Sequence, residues 1–358
     1  MGATSLGCGE MPWRARLDVL SSPPDKTSPN QHRFPSPNQI SSLGPMHPAY
    51  SVILFTTASG AGLGLLTWLA LLALLGAVPV ERWVGFTGLA GSFVLVAGGL
   101  VSSTMHLGRP ERAWRALSQW RTSWLSREGV MVIATAGPAL VLAIGWVCFE
   151  RVDGAFAIAA ALVVVCAIVT LYATGMIYAS LRTIRQWHQA LTAPIYITLG
   201  LASGAVLLRL LLVVLREASS WSAWLAMLLL GIGAALKWGY WLRIDGELRA
   251  YTLEAATGLG HLGKVRVLDP PHTQPNFVMR EMGYQVARKH AQKLRKAALL
   301  FAFGLPILLL LISQAPGWAI AGAVLATLSL AAGLIIERWL FFAEAEHVSM
   351  LYYGEERL

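Results

Sequence analysis

Eight long apolar runs dominate the sequence and limit the folds available to it. A helix needs about 20 mostly apolar residues to cross the hydrocarbon layer of a bilayer. Only 13% of the residues are charged, against about 25% in an ordinary soluble domain, and the short alternating segments of a β-barrel are not visible. We therefore predict an all-α integral membrane protein, a bundle of eight transmembrane helices. The runs cover residues 49–75, 83–105, 129–149, 155–179, 194–215, 221–242, 297–314 and 317–343.

Basic residues are distributed unevenly between the two sets of connecting loops. The loops after the second, fourth and sixth runs hold 17 Lys and Arg residues, and the opposite loops hold 3. Because basic loops are retained in the cytoplasm, this bias predicts that both termini are cytoplasmic. The formal net charge of +9 then reflects topology and attraction to anionic headgroups rather than nucleic-acid binding. We expect a multi-pass protein of the inner (cytoplasmic) membrane of a bacterium.

The chain divides into an extension and a membrane domain. Residues 1–45 are rich in Ser, Pro and Asn and contain no apolar run, so we predict a disordered extension. Two interpretations stay open: the extension is native, or Met46 is the true start. Residues 46–358 form the eight-helix domain, with a long cytoplasmic loop at 243–296. Loops of that length are uncommon without a function.

The sequence argues against metal cofactors in this chain. The three cysteines, Cys8, Cys148 and Cys166, are scattered without iron–sulfur or zinc spacing. A membrane haem needs two histidines facing each other inside the bundle, whereas all eight histidines lie in loops, tails or helix ends. We therefore expect no haem and no iron–sulfur cluster here. The match Gly258-Leu-Gly-His-Leu-Gly263 follows no strand, so it does not indicate dinucleotide binding.

The segment His106–Glu128, between the second and third runs, carries five arginines and its own helical pattern. Pro110 suits the first turn of a helix. Trp114, Leu117 and Trp120 recur at helical spacing, which predicts a short helix lying in the headgroup region.

His106 directly follows the second run and Glu128 directly precedes the third, so both are expected at the same membrane surface. These are the side-chain types that move protons to or from a lipid-soluble substrate. A structural interpretation also stays open. Glu128 can stabilise a helix N-terminus beside the capping candidate Ser126, and His106 can satisfy helix C-terminal carbonyls.

Four charged residues lie inside the apolar runs, where each is costly. We expect Lys237 and Arg338 to extend towards the headgroups, and Glu337 to pair with a neighbouring helix. Arg209 lies deeper and needs a partner that the sequence does not identify.

Small residues around Gly60 and Gly64 in the first run form one GxxxG pair. This pattern favours close helix packing. The alternative is a cleft wall against which a flat ring could lie.

From Met46 onward the chain resembles the membrane anchor subunit of the dimethyl sulfoxide reductase family of molybdoenzymes, and it is similar to the anchor of cytoplasmic sulfite dehydrogenase complexes. The resemblance rests on the opening segment 46–66, on His106–Ala113, on Ser126-Arg-Glu128 and on the run 276–290. It implies a three-subunit complex of electron transport, in anaerobic respiration or sulfur metabolism. A catalytic subunit holds molybdopterin, a ferredoxin-like subunit holds iron–sulfur clusters, and a haem-free anchor exchanges electrons with ubiquinone or menaquinone.

The resemblance also implies a quinone site, because the histidine and glutamate that the family associates with quinol match His106 and Glu128. Arg109 or Arg112 is expected to hold Glu128 ionised or to bind a quinone oxygen, although topology alone accounts for these arginines. The loop 243–296 is expected to dock the iron–sulfur subunit on the cytoplasmic side. No residue here is expected to be catalytic for the terminal substrate. The alternatives are a multi-span secondary transporter, or a structural anchor without a quinone site.

Overall fold

A computed structural model of the chain describes residues 50–104, 109–217, 219–247, 252–266 and 285–346, with 348 and 351. Over these residues the fold is all-α, without a β-strand, and eight helices are long and apolar enough to cross a membrane. The predicted fold class and number of spans are therefore confirmed. The spans are α1 Tyr50–Leu74, α2 Arg82–Thr104, α3 Trp124–Cys148, α4 Gly154–Ala179, α5 Thr192–Val214, α6 Ser220–Gly246, α7 His290–Ile312 and α8 Ala319–Ala343.

Two helices begin well before the apolar runs that predict them. Helix α3 begins at Trp124, where the apolar run begins at 129. The helix that contains α7 begins at Gln285, inside the segment 243–296 that the sequence assigned to a loop. Hydropathy marks only the part of a helix that suits hydrocarbon, whereas Gln, Arg, Lys and Ala continue a helix well in polar surroundings. The basic stretch before α7 is consequently helical.

Irregular helical turns complete the described structure. A 3₁₀ helix, Pro110–Gln119, precedes α3, and short helices Leu253–Thr257 and Gly260–Leu262 follow α6. The last turn of α3, Ile144–Cys148, is π-helical, and so is the segment Leu300–Gly304 within α7. The predicted extension 1–45 lies outside the described residues.

The spans define two faces of the bundle. We call the face where α1 begins and α8 ends the proximal face, and the opposite one the distal face. On the proximal face, the Gln186 amide after α4 donates to Glu346 after α8 at 3.0 Å. On the distal face, the Trp146 indole at the end of α3 donates to the Glu81 carbonyl before α2 at 3.1 Å. The proximal face is the one for which the sequence predicts a cytoplasmic location.

Helices α1 and α5 form the most buried part of the bundle and pack at van der Waals distance through glycines. A Cβ added to Gly204 would lie 2.1 Å from the carbonyl carbon of Gly64, and one added to Gly64 would lie 1.9 Å from the Gly200 carbonyl oxygen. The close-packing interpretation of the Gly60–Gly64 pattern is therefore confirmed at Gly64.

Three of the intramembrane charges form one buried cluster. Lys237 on α6 lies 2.5 Å from Glu337 on α8, measured from Nζ to Oε1. Arg338 lies 3.5 Å from the other Glu337 oxygen and stacks over the Tyr196 ring at 3.7 Å. The expected pairing of Glu337 with a neighbouring helix is confirmed. The expectation that Lys237 and Arg338 extend to the headgroups is wrong, because both are buried and find their partners inside the bundle.

Arg209 finds partners that the sequence did not reveal. Its side chain is buried, and it donates to the carbonyl of Ser219 at 3.1 Å, the hydroxyl of Ser222 at 3.3 Å and the carbonyl of Ser313 at 3.2 Å. These acceptors lie before α6, in α6 and after α7. One guanidinium thus joins three segments near the distal face.

Candidate functional site

A cavity of about 480 Å³ opens on the proximal face, between the ends of α1, α2, α3 and α4 and under the 3₁₀ helix. Most of its wall is apolar. Its charged lining residues are Arg109, Arg112 and Glu128, so the structure brings together three of the four predicted site residues. The fourth, His106, lies outside the described residues.

Glu128 is the buried polar group of this cavity, with only 4% of its surface exposed. Its Oε1 accepts a hydrogen bond from the hydroxyl of Thr174 on α4. The same hydroxyl lies 3.0 Å from the carbonyl oxygen of Thr170. A hydroxyl both donates and accepts. Thr174 can therefore donate to an ionised Glu128, or accept from a protonated one while donating to Thr170, which allows the carboxyl to gain or lose a proton without losing its partner.

Local contacts at the start of α3 fix the position of Glu128. The helix is capped by Ser123, whose hydroxyl accepts from the Ser126 amide at 3.4 Å, so Ser126 is not the capping residue we expected. A serine three residues earlier has the extended backbone that a cap requires. Ser126 instead donates its hydroxyl to the carbonyl of Ala116. This bond ties the 3₁₀ helix to the first turn of α3.

Arg127 reinforces that tie from the outer side. It donates to the carbonyls of Trp120 at 3.0 Å and Arg121 at 2.7 Å, and its guanidinium stacks over the Trp124 ring at 4.2 Å. The connection between the 3₁₀ helix and α3 is therefore held on both sides. A ligand in the cavity would meet a well-defined wall.

The predicted short helix is present, but it is wound as a 3₁₀ helix rather than an α-helix. Pro110 occupies its first turn, as expected. Trp114 and Trp120 are exposed, which suits side chains at headgroup level, whereas Ala113 and Leu117 line the cavity. The segment therefore covers the cavity with its small and apolar side chains and presents its tryptophans outward.

Arg109 and Arg112 are exposed at the cavity wall. Among the described residues, neither lies within ion-pair distance of Glu128, whose partner is Thr174. The expectation that an arginine holds Glu128 ionised thus finds no contact in the described part of the chain. Their position still leaves both arginines available to a ligand.

Sequence reasoning missed Thr174 and Tyr178, the α4 residues that complete the site. Tyr178 lines the cavity, and its ring stacks on Tyr196 with centroids 5.4 Å apart. A signal existed: Thr170 and Thr174 are separated by one helical turn near the proximal end of α4, so they occupy the same face. Nothing in the local sequence of α4 indicates which helix that face meets.

A second proximal cavity, of about 360 Å³, is polar and lies between the ends of α6 and α8 and the start of α7. Arg295 joins its walls, with contacts of 2.6 Å to Asp245 and 2.7 Å to Glu344. Burial raises the pKa of the Glu344 carboxyl, and the nearby Arg295 opposes that change. In the described part of the chain, no group of three or more His, Cys, Asp or Glu side chains could hold a metal ion.

These features define an integral membrane protein with an apolar, carboxyl-containing cavity where the helices meet the membrane surface. Residues 45–353 match the family described as DMSO reductase anchor subunit (DmsC). The chain belongs to this family, and the predicted resemblance is confirmed. It is also 35% identical to a sulfite dehydrogenase subunit of Allochromatium vinosum over 339 residues, which cover 86% of this chain and 99% of that protein. The protein is therefore a membrane anchor subunit of this type.

Proposed function

We propose that this chain is the quinone-reactive anchor of a three-subunit molybdopterin oxidoreductase, and that it passes electrons between the quinone pool and an iron–sulfur partner subunit. The observation that carries the proposal is the buried Glu128 carboxyl in a largely apolar cavity, with Thr174 able to serve both of its protonation states. Membership in the anchor family supports it, and so does the similarity to a sulfite dehydrogenase subunit.

The chemistry fits the lining residues. A quinone and its quinol differ by two electrons and two protons, so a site that interconverts them needs a group that exchanges protons beside the ring oxygen. Glu128 takes or gives one proton there, and Thr174 holds its carboxyl in place. We propose that Arg109 or Arg112 donates a hydrogen bond to a quinone oxygen, and that His106 handles the second proton. The electrons are exchanged with a cluster in the partner subunit.

The proximal face is the proposed docking surface for the iron–sulfur subunit, which in turn binds the molybdopterin subunit. The Glu128 cavity and the polar cavity around Arg295 both open there. The segment 243–296, which we expected to dock this partner, connects α6 to α7 on the same face. We further propose that this face is cytoplasmic, in the inner membrane, because the basic loops lie there.

The proposed site serves electron flow in either direction. In a DMSO reductase-like complex Glu128 would accept a proton from the quinol, and in a sulfite dehydrogenase-like complex it would donate one to the reduced quinone. The terminal substrate meets the molybdenum in another chain, so its identity is a property of that partner.

The test compares Glu128→Gln with Glu111→Gln in the purified complex. Glu111 is exposed on the 3₁₀ helix of the same loop, which makes it a matched control. Two activities are measured: quinone-linked turnover, and turnover with an artificial redox dye that exchanges electrons directly with the partner subunits. We expect Glu128→Gln to lower quinone-linked turnover about 100-fold or more, the range of general acid–base catalysis. Dye-linked turnover should not change.

Other outcomes would favour the alternatives. Normal quinone-linked turnover in an assembled Glu128→Gln complex would overturn the site and favour a structural anchor. Purification of the chain without any partner subunit would overturn the complex and favour a transporter.

A further inference from the structure

A smaller, apolar cavity lies next to the Glu128 cavity, deeper in the membrane. It has a volume of about 140 Å³ and lies between α2 and α3, with α1 as its floor. Leu100 on α2 lines both cavities. The two spaces are therefore neighbours that share this side chain as part of their walls. We call the apolar cavity the α2–α3 cleft.

On α2 and α3 the lining residues of the two cavities follow one another at intervals of one helical turn or less. On α3, Glu128 and Gly129 line the first cavity, and Val132, Thr135 and Ala139 line the cleft. Residues three or four positions apart share one face of a helix. From Glu128 to Ala139 the path is about 16 Å long at a rise of about 1.5 Å per residue. The path thus reaches from the buried carboxyl well into the hydrocarbon layer.

The cleft has an almost wholly hydrocarbon surface. Its two hydroxyl side chains are satisfied by their own helices: Ser92 donates to the Gly88 carbonyl at 2.8 Å, and Thr135 donates to the Met131 carbonyl at 2.7 Å. Neither hydroxyl proton is therefore free to bind a ligand. A ligand that needs hydrogen-bond donors would lose its hydration without gaining new ones, whereas a hydrocarbon chain suits this surface.

The outer edge of the cleft faces lipid. Ala97 is an exposed lining residue on α2, and a Cβ on neighbouring Gly98 would meet no atom within 4 Å. Across the gap, Ala136 on α3 is half-buried, and Gly137 beside it is equally open. A molecule dissolved in the bilayer could therefore reach the cleft sideways, without crossing the membrane surface.

Together the two neighbouring cavities offer polar groups at the proximal end and hydrocarbon walls deeper in the membrane. We propose that the α2–α3 cleft binds the isoprenoid tail of the quinone and is its lateral access route from the membrane, while the ring lies beside Glu128. This proposal rests on the proposed function. It adds a binding site for the quinone tail, so that the tail is recognised as well as the ring. A phospholipid acyl chain is the competing occupant.

The test uses substitutions that narrow the α2–α3 cleft and leave the residues around Glu128 unchanged. Ala136→Phe places a large side chain in the cleft. Ala136→Leu adds a smaller side chain at the same position, so the test can still be made if the Phe variant does not fold. Ile133→Phe is the matched control, because Ile133 is exposed on the same helix and lines neither cavity. Each purified complex is assayed in lipid vesicles with two substrates that share one ring: a long-tailed quinone, and the same quinone without an isoprenoid tail. Dye-linked turnover reports assembly.

We expect Ala136→Phe to lower kcat/KM for the long-tailed quinone about tenfold, equivalent to about 1.4 kcal/mol. The kcat/KM for the tailless quinone should stay within about twofold of wild type. Ala136→Leu should lower kcat/KM for the long-tailed quinone by a smaller factor. Ile133→Phe should affect neither substrate. An equal loss with both quinones, or no loss with either, would overturn the tail site, and an equal loss would point to a structural lipid in the cleft. Failure of the proposed function would give a different result: the Glu128→Gln complex would turn over both quinones normally.

Discussion

The Thr174 hydroxyl on α4 donates a hydrogen bond to the Glu128 carboxyl on α3. The two residues lie 46 positions apart in the chain, and both are buried. This contact makes the packing of α3 against α4 part of the site. The position and protonation of Glu128 therefore depend on a helix that carries no charged residue of the candidate site.

Replacing Thr174 with Val should weaken the site while keeping the shape of the side chain. Loss of a hydrogen bond to a carboxylate costs about 1.5–3 kcal/mol, so we expect quinone-linked turnover to fall about tenfold relative to dye-linked turnover. Thr170→Val is the control, because the Thr170 hydroxyl donates to its own helix at Cys166 and lies 3.4 Å from Thr135 rather than at Glu128. Equal turnover in the two variants would contradict the role of Thr174.

Ala at Gly204 should disrupt the packing of α1 against α5. The added methyl would lie 2.1 Å from the Gly64 carbonyl carbon, in backbone that cannot rotate away. Overpacking of this kind costs about 1–3 kcal/mol or more, so we expect a lower Tm and a lower yield of assembled complex. Gly231→Ala on α6 is the control, since its methyl would meet no atom within 4 Å and Ala favours a helix over Gly. A wild-type Tm for Gly204→Ala would contradict the close approach.

The sequence predicted the parts of this fold that depend on local pattern. Hydropathy found all eight spans, because transfer of each side chain into lipid is nearly independent of its neighbours. The start of the short helix at Pro110 followed from backbone geometry in the same way. The placement of Arg109, Arg112 and Glu128 around one cavity followed from the same loop, which begins and ends at one membrane face.

Contacts between distant helices could not be predicted. Lys237 was expected to extend to the headgroups, because a single sequence does not reveal that Glu337 faces it across the bundle. Thr174 was missed for the same reason, since its role depends on which helix α4 meets. The preference for Glu128 as a site residue came from the family resemblance. Physical reasoning on the sequence alone favoured a role in stabilising the start of α3.

Changing both residues of the Lys237–Glu337 pair should cost less stability than the two single changes added together. A single Lys237→Met or Glu337→Gln substitution leaves a buried group without its partner, and such changes cost about 3–5 kcal/mol. In the double variant, the amide introduced by Glu337→Gln would still offer an oxygen to Arg338, which lies 3.5 Å from the native carboxylate. We expect the double loss of stability to be smaller than the sum by about 1–3 kcal/mol, measured as a double-mutant cycle on thermal unfolding in detergent. Strictly additive losses would show that the pair is not coupled.

Arg209 should be required for stability but not for turnover. Its guanidinium donates to the carbonyls of Ser219 and Ser313 near the distal face, whereas Glu128 lies at the proximal face. Arg209→Met leaves the buried Ser313 carbonyl without its donor, which costs about 1–3 kcal/mol, so the Tm of the complex should fall.

Arg209→Lys should restore little of that stability, because one ammonium group cannot reproduce the planar fork that spans two segments. Quinone-linked turnover per assembled complex should match wild type in both variants, since the ring site and the α2–α3 cleft are untouched. The measurements are thermal unfolding and the ratio of quinone-linked to dye-linked turnover. A drop in that ratio with an unchanged Tm would mean that Arg209 acts on the quinone reaction and not on the packing of α5, α6 and α7.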